Sequence, residues 1–334
     1  MKQEHKVSII ITAYNESARI SEKISNTIAL DYPPDLLEII VASDGSDDGT
    51  DEIVSGFQEV RLVVVPGRVG KEATQDAAVK TSVGEITVFT DVATILEKDA
   101  LRRISAQFTV LEVGALSSED RFIVADGKVS GEGVYVRYEM ALRKLEGTFN
   151  TLVGLSGSFF ACRRQVCHDW NNSIPSDFGT ALRCAKQGLR AIPAPGLYGY
   201  YKDVSDPKKE YNRKVRTILR GINGLRSEPR ALNPMENGWF ALQLWSHKVL
   251  RWSGPLLLAG ALIGSLLLAL DSTFGRVILA IQLAFYSIAM FPSQFVPGYL
   301  RLPKYFVMTN LAIGHALILS FRGVNKVAWQ PSQR

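Results

Sequence analysis

The sequence predicts an α/β fold, a mostly parallel sheet with helices on both faces, followed by C-terminal transmembrane helices. Two observations predict the sheet and a third predicts the helices. Four short apolar, β-branched runs alternate with helical patterns over roughly the first ninety residues, the arrangement of a doubly wound sheet with right-handed crossovers. Three loops that follow strands carry acids, at Glu16, around Asp44 and at Asp91, and in such sheets ligands bind beyond the carboxyl ends of the strands. Charged residues are spread evenly to about residue 250 and nearly vanish over long intervals from Trp252 onward.

Val7 to Thr12 reads as a buried parallel strand, Ala13 to Glu16 as a loop, and Ser17 to Ile28 as a helix with Ile20, Ile24 and Ile28 on one face. Pro33 and Pro34 end that helix. Leu37 to Ala42 is a second strand, Ser43 to Thr50 a polar loop, and residues 51–57 a helix. Leu62 to Val65 is a third strand, from which Pro66 to Lys71 turns into a helix ending near Ser82. The fourth strand, in the stretch Ile86 to Ala93, delivers Asp91 to its end. Beyond it the pattern predicts a helix over 98–110, a strand over 114–118 and a half-exposed helix from Val134 to Leu145. A small-residue turn at Gly154 to Ser158 leads into an apolar strand. A helix then opens at Ser176-Asp177-Phe178, a short strand covers Arg190 to Ile192, and Tyr211 to Leu225 is a basic helix with Arg213, Arg216 and Arg220 along one side.

Several chemistries are weighed and set aside. Gly67 to Lys71 lacks the Ser or Thr that must follow the lysine of a phosphate loop, since Glu72 stands there. Cys162, Cys167 and Cys184 with His168 match no standard zinc spacing. They read as reduced, buried thiols of a cytosolic compartment, in a chain whose first residues form no apolar leader. A net charge of +5 without interleaved aromatics argues against nucleic acid as a partner. The basic residues gather instead at 202–226, which favours lipid head groups or a phosphate-bearing substrate. Taken singly, Asp91 is as compatible with helix capping as with ligand binding, and Asp177 with simple favour at a helix start.

The ordered set Thr12-Ala13-Tyr14-Asn15-Glu16, Ser43 to Thr50, Gly70-Lys71, Phe89-Thr90-Asp91, Ser156-Gly157 and Ser176-Asp177-Phe178 resembles the family 2 processive-type glycosyltransferases with a GT-A fold. The nearest branch is that of bacterial membrane-bound cellulose synthase-like and exopolysaccharide enzymes. The resemblance covers residues 6–230 and implies that Asp44 and the backbone of Ala13, Tyr14 and Glu16 hold the base and ribose of a nucleotide sugar, with Lys71 near that pocket. It implies that Asp91 contacts the ribose and a metal-bound diphosphate, that Asp177 is the general base, and that the acceptor approaches Ser156 and Gly157. Arg213 and Arg216 fall where the family holds the leaving diphosphate. The chain departs from the family at Ala13, often proline, at Ser176, usually acidic, and in lacking the Gln and Trp of the basic motif. Ala93 is the serious departure, because a second carboxylate or an asparagine often stands there. Magnesium commonly uses only one or two protein carboxylates, so a divalent metal, Mg2+ or Mn2+, is expected on Asp91 with weakened dependence.

Trp252 to Leu270 and Val277 to Phe291 are charge-free and long enough to embed in a bilayer, Pro292 and Pro297 breaking the second, and Tyr305 to Phe321 is a third apolar stretch interrupted by Asn310 and His315. A buried soluble core is the competing reading of this tail, set aside because nothing else in the chain would cover it. The loop Asp271 to Gly275 has no Lys or Arg, whereas Lys248, Arg251, Arg301 and Lys304 flank the other ends. By the positive-inside rule the catalytic part is cytoplasmic. A crossing by 305–321 would carry Arg322, Lys326 and Arg334 outside against that rule, whereas an interfacial seat keeps them inside.

These readings divide the chain into a catalytic domain over 1–230, an interfacial linker over 231–251, a membrane domain of two to three helices over 252–321, and a tail. The expected function is that of a multi-pass inner (plasma) membrane glycosyltransferase, inverting, of hexosyl or N-acetylhexosaminyl type. Its donor is expected to be a UDP-linked sugar and its acceptor lipid-linked or polysaccharide. So few spans suggest a homo-oligomer or an export partner if transfer is processive. The non-enzymatic alternative is a degenerate nucleotide-sugar-binding membrane scaffold, with Ala93 and Ser176 as marks of lost chemistry. A nucleotidyltransferase would need a basic triphosphate loop that residues 12–16 do not supply.

Overall fold

The computed structural model describes residues 4–123, 134–202, 207–290 and 301–324. They fall into two compact units, 4–202 with 227–243, and 207–226 with 244–290 and 301–324.

The first unit is built on one eight-stranded sheet of order β3-β2-β1-β4-β7-β6-β8-β5. Strands β1 (Val7–Ala13), β2 (Leu37–Ser43), β3 (Val60–Val64) and β4 (Ile86–Asp91) are mutually parallel, as the alternating pattern predicts. Register sets Ala13 opposite Ser43 and Thr12 opposite Asp91, so three strands finish on one edge and their loops share it. Ile9, Ile11 and Val88 face α1 (Ile20–Ile28) and α4 (Ala100–Gln107), while Ile10 and Phe89 face α3 (Lys71–Thr81) and α6 (Ser176–Lys186). The continuous apolar runs of these strands thus follow from burial on both faces.

Beyond β4 the sheet becomes mixed. β7 (Phe159–Arg163) inserts antiparallel between β4 and β6 (Val113–Ile123). The sequence pattern placed β6 over only 114–118 and β8 over only 190–192. In the structure β8 runs Arg190–Lys202, parallel to β6 through a register shift between Ser117 and Glu119. Pro193, Pro195, Gly196 and Gly199 break the β-branched signal of that strand without breaking the strand. A two-residue strand, β5 (Ile95–Leu96), closes the edge on β8. The first helix begins at Ile20, three residues later than the periodicity implies, because residues 14–17 are committed to the loop.

In the second unit a long helix, α7 (Pro207–Ser227), packs Val215, Leu219 and Ile222 against Ala312 and Ala316 of the helix Arg301–Phe321. Gly254–Asp271 and Thr273–Met290 complete a set of three helices that, with Leu302–Phe321, are long and apolar enough to cross a membrane. Pro292 and Pro297, like Lys326 and Arg334 in the tail, lie outside the described residues.

Gly84 marks the tightest approach at the start of β4. A Cβ there would lie 2.8 Å from the Val7 carbonyl carbon and closer still to the Ser8 nitrogen. Gly84→Ala is therefore expected to destabilise the first unit by roughly 1–3 kcal/mol through overpacking, seen as a lowered melting temperature of the detergent-solubilised chain.

Candidate active site

The loops that follow β1, β2 and β3 are tied to one another by hydrogen bonds and close backbone packing. Asn15, at a positive φ of 51°, donates its amide to Asp47 Oδ1 at 2.7 Å and accepts the Asp47 backbone N–H at 3.0 Å. Ser17 N–H donates to Asp48 and Glu16 N–H to Thr50 Oγ1. Gly45, with a φ of 67°, leaves only 2.7 Å between a would-be Cβ and the Gly67 carbonyl oxygen, which locks the second loop to the third. Arg68 lies 4.2 Å over the Tyr14 ring, so a cation and an aromatic face meet at the rim.

Asp44 is wholly buried. Its carboxylate accepts the backbone N–H groups of Val69 and Gly70 at 2.8 and 3.0 Å and the Thr74 hydroxyl at 3.1 Å. Those are the loop before α3 and that helix's first turn, so Asp44 shapes the pocket from beneath rather than presenting oxygens to it. Ala13 is likewise buried, whereas Tyr14 of that loop is half-buried and Asn15 exposed.

Lys71, at the start of α3, is the hub. Its ammonium donates to Asp91 Oδ1 at 2.5 Å and to the Gly157 carbonyl at 2.8 Å. Asp91 is thus an ion-paired carboxylate with its side chain 31% exposed, and no helix begins there for it to cap. On its other side a Cβ on Gly157 would meet Asp177 Oδ2 at 3.5 Å. Asp91, Lys71, Gly157 and Asp177, four residues from distant parts of the sequence, therefore converge. Pro175, not Asp177, occupies the N-cap of α6, and among the described residues no side chain pairs with the Asp177 carboxylate.

Two groups escaped sequence reasoning. Asp120, on the extended part of β6, accepts the hydroxyls of Ser156 at 2.5 Å and Ser158 at 3.2 Å, and Ser158 also meets Tyr201 OH at 3.2 Å. The signal was present only in the length of β6 and β8, which the prolines and glycines concealed. Lys23, wholly buried on α1, donates to Thr90 Oγ1 at 3.0 Å and to the Thr94 carbonyl at 2.6 Å, directly behind Asp91. Burial drives its pKa down to about 7 against the opposing pull of Asp91. Glu16 moves the other way, up to about 6, because burial outweighs Arg19 while Asp91 and Asp48 add repulsion.

Arg213 and Arg216 belong to the second unit. Arg213 pairs with Glu210 at 2.7 Å within one turn of α7. The Arg216 guanidinium is held below its ordinary pKa by burial and by the charges of Arg220 and Arg213. The three cysteines are free and buried, with Cys162 Sγ and Cys167 Sγ 3.4 Å apart. Among the described residues no group of three or more His, Cys, Asp or Glu is disposed to hold a metal ion. Asp91, with Ala93 two residues on, fits the role of a single protein carboxylate for a cation otherwise held by donor phosphates and water.

Comparison with known proteins places this geometry. Residues 8–170 match the family described as Glycosyl transferase family 2. The poly-beta-1,6-N-acetyl-D-glucosamine synthase of Staphylococcus epidermidis is 26% identical over 46% of this chain and 40% of its own. A dolichyl-phosphate beta-glucosyltransferase of Trichomonas vaginalis is 29% identical over 45% of this chain and 47% of its own. The matches therefore span less than half the length of these curated relatives. The mannosyltransferase PcManGT of Pyrobaculum calidifontis, solved with GDP-Man and Mn2+, superposes with a TM-score of 0.73 over 96% of this chain and 88% of its own. At 21% identity that likeness is one of fold.

The buried Lys23 makes a pH signature. The unfolded chain keeps this amine protonated up to its ordinary value of 10.5, whereas the folded chain releases the proton near pH 7. Its contribution to stability is lowest below pH 7 and rises with pH toward 10.5. Lys23→Met is expected to remove that rise, measured as melting temperature against pH for both proteins.

Proposed function

We propose, for a chain that carries a glycosyltransferase family 2 domain in a GT-A-like α/β fold, that it is a membrane-bound inverting transferase moving a hexosyl or N-acetylhexosaminyl group from a nucleotide sugar to a lipid-linked or polysaccharide acceptor. The observation that carries this reading is the convergence around Gly157 of Asp91, Lys71 and Asp177, whose carboxylate no described side chain pairs. An inverting transfer needs a base on the acceptor side and positive charge on the leaving-group side, within one bond-forming distance. Asp177 supplies the first and the Asp91–Lys71 pair anchors the second.

In this reading Tyr14, Arg68 and the backbone of Ala13 to Glu16 line the nucleoside pocket that Asp44 props open. Asp177 takes the proton of the acceptor hydroxyl as its oxygen bonds the anomeric carbon, and the bond from that carbon to the diphosphate breaks on the opposite face. Ser156 and Gly157 floor the acceptor approach, with Asp120 and Ser158 presenting acceptor atoms to sugar hydroxyls. Lys71 offsets charge on the departing nucleoside diphosphate. A divalent cation, Mg2+ or Mn2+, bound at Asp91 would add Lewis-acid neutralisation of the same diphosphate. The donor nucleotide is proposed to be uridine-based, the catalytic unit to face the cytoplasm of a plasma membrane, and any processive synthesis to use a second copy or an export partner.

The test is release of nucleoside diphosphate from UDP- and GDP-linked sugars by membranes holding the full chain. Asp177→Asn is expected to lower turnover by about 10²-fold or more while donor affinity, measured by calorimetry, stays within about twofold, a change too small to reflect a lost contact. Binding without turnover by the wild-type chain across the donor panel would favour the scaffold reading, for which Ala93 and Ser176 speak.

Lys71 yields a separate prediction, because an ammonium 2.5 Å from Asp91 occupies the position a cation would take. Donor-free Lys71→Gln is expected to bind Mn2+ several-fold more tightly than wild type by electron paramagnetic resonance and to bind nucleoside diphosphate more weakly. Unchanged or weaker Mn2+ binding would show that lysine and cation do not share Asp91.

A further inference from the structure

The three apolar helices satisfy the same criterion of length and composition, yet one of them is packed differently. Helix α7 lies along Arg301–Phe321 from near one end to the other. Lys214 Nζ donates to Tyr305 OH at 2.9 Å, Val215, Leu219 and Ile222 cover Ala312 and Ala316, Arg226 donates to the Ser320 carbonyl at 3.2 Å, and Asn223 donates to the Val324 carbonyl at 3.0 Å. From Tyr305 to Phe321 this is about 24 Å of helix at 1.5 Å per residue, most of the thickness of a hydrocarbon core.

Along that length α7 carries Glu210, Arg213, Lys214, Arg216, Arg220 and Arg226. A helix so charged cannot lie within hydrocarbon, where each ionised side chain is penalised, and its partner lies at the same depth. If Arg301–Phe321 crossed the bilayer, α7 would have to cross beside it.

The contacts with the other two apolar helices point the same way. Asn310 sits against Gly254 and Gly314 against Pro255, at the start of the first helix, and the Phe306 ring meets Phe285, five residues before the second helix ends, with centroids 5.8 Å apart. Trp252, an aromatic of the kind that marks the membrane boundary, lies against Gly221 of α7. All these contacts fall near the ends of the hairpin remote from the turn at Ser272. Meanwhile Leu302, Phe306, Leu311, Ile318 and Phe321 all remain exposed, apolar surface left without full protein cover.

We infer that Arg301–Phe321 does not cross the membrane but lies in the interface on the side where α7 lies, its exposed apolar face in the acyl chains and α7 toward the head groups. The described residues then hold two spans, and Arg322 stays on the side of the catalytic unit. This assignment places the first unit on the same side as the start of the Gly254–Asp271 helix, which precedes any crossing, and it stands whether or not the chain transfers sugar. Interfacial helices of this kind sink an apolar face about 5–10 Å and draw on anionic lipid for the basic side.

The test uses the full chain in oriented membrane vesicles with a membrane-impermeant maleimide. The three native cysteines are buried, so single introduced cysteines report their side. Glu52→Cys on α2 (Thr50–Ser55) marks the catalytic unit and Thr273→Cys marks the turn between the two spans; both positions are exposed. Arg322→Cys is expected to be labelled from the Glu52 side, and Gly323→Cys, exposed just beyond the helix end, serves if that variant does not accumulate. Labelling from the Thr273 side would overturn the inference. Loss of nucleotide-release activity with unchanged labelling would bear on the proposed function alone.

Discussion

One buried ammonium ties the active centre together. Lys71 sits 6% exposed at the first residue of α3 and reaches both Asp91, on the last residue of β4, and the Gly157 carbonyl, in the turn before β7. A lysine placed there is tolerated because a carboxylate and a carbonyl replace the water it loses. In return it adds a side-chain tie between two segments that the sheet already joins, since Thr90 pairs with Phe159 and the Asp91 N–H donates to the Ser158 carbonyl at 3.0 Å. Asp44 supports the arrangement from below, because the N–H groups it accepts belong to the loop that presents Lys71.

The charge balance around Asp91 differs from that of a site built from two carboxylates. Ala93 removes the second acid, while Lys71 pairs with the first and Lys23 lies behind it. Glu16 adds negative charge, but burial and the nearby Asp91 and Asp48 raise its pKa to about 6, which lightens that charge below neutrality. The local field is therefore nearly compensated by the chain itself. A site compensated in this way has less need of a cation at rest than a site of unpaired acids, and its demand for positive charge rises when a diphosphate arrives.

The parallel half of the sheet was legible in the sequence because each of its strands is buried on both faces and so is written as an unbroken β-branched run. The positions of Asp91 and Asp177, at the end of β4 and in the first turn of α6, follow from the sequence pattern because each borders a regular element. The mixed half was not legible. β8 contains two prolines and two glycines in thirteen residues, tolerated where a bulge and a two-residue edge partner relieve the pairing demand. With β8 went the true length of β6, and with β6 went Asp120. Lys23 was hidden for another reason: a lysine at an apolar helix face reads as surface unless the partner carbonyl, seventy-one residues away, is known.

The same limit governs the apolar end of the chain. Hydropathy scores a segment by what it contains, and by that measure Leu302–Phe321 joins the two helices before it. Whether a segment crosses depends also on what lies against it. Of the three helices, this one has the most buried residues, because α7 occupies one of its faces. Apolar residues such as Ala312 and Ala316 are then explained by helix packing, leaving Leu302, Phe306, Leu311, Ile318 and Phe321 as the exposed large hydrophobics to be explained by lipid. An apolar face on a helix whose other side meets a cationic partner is the pattern of the interface, not of the bilayer interior.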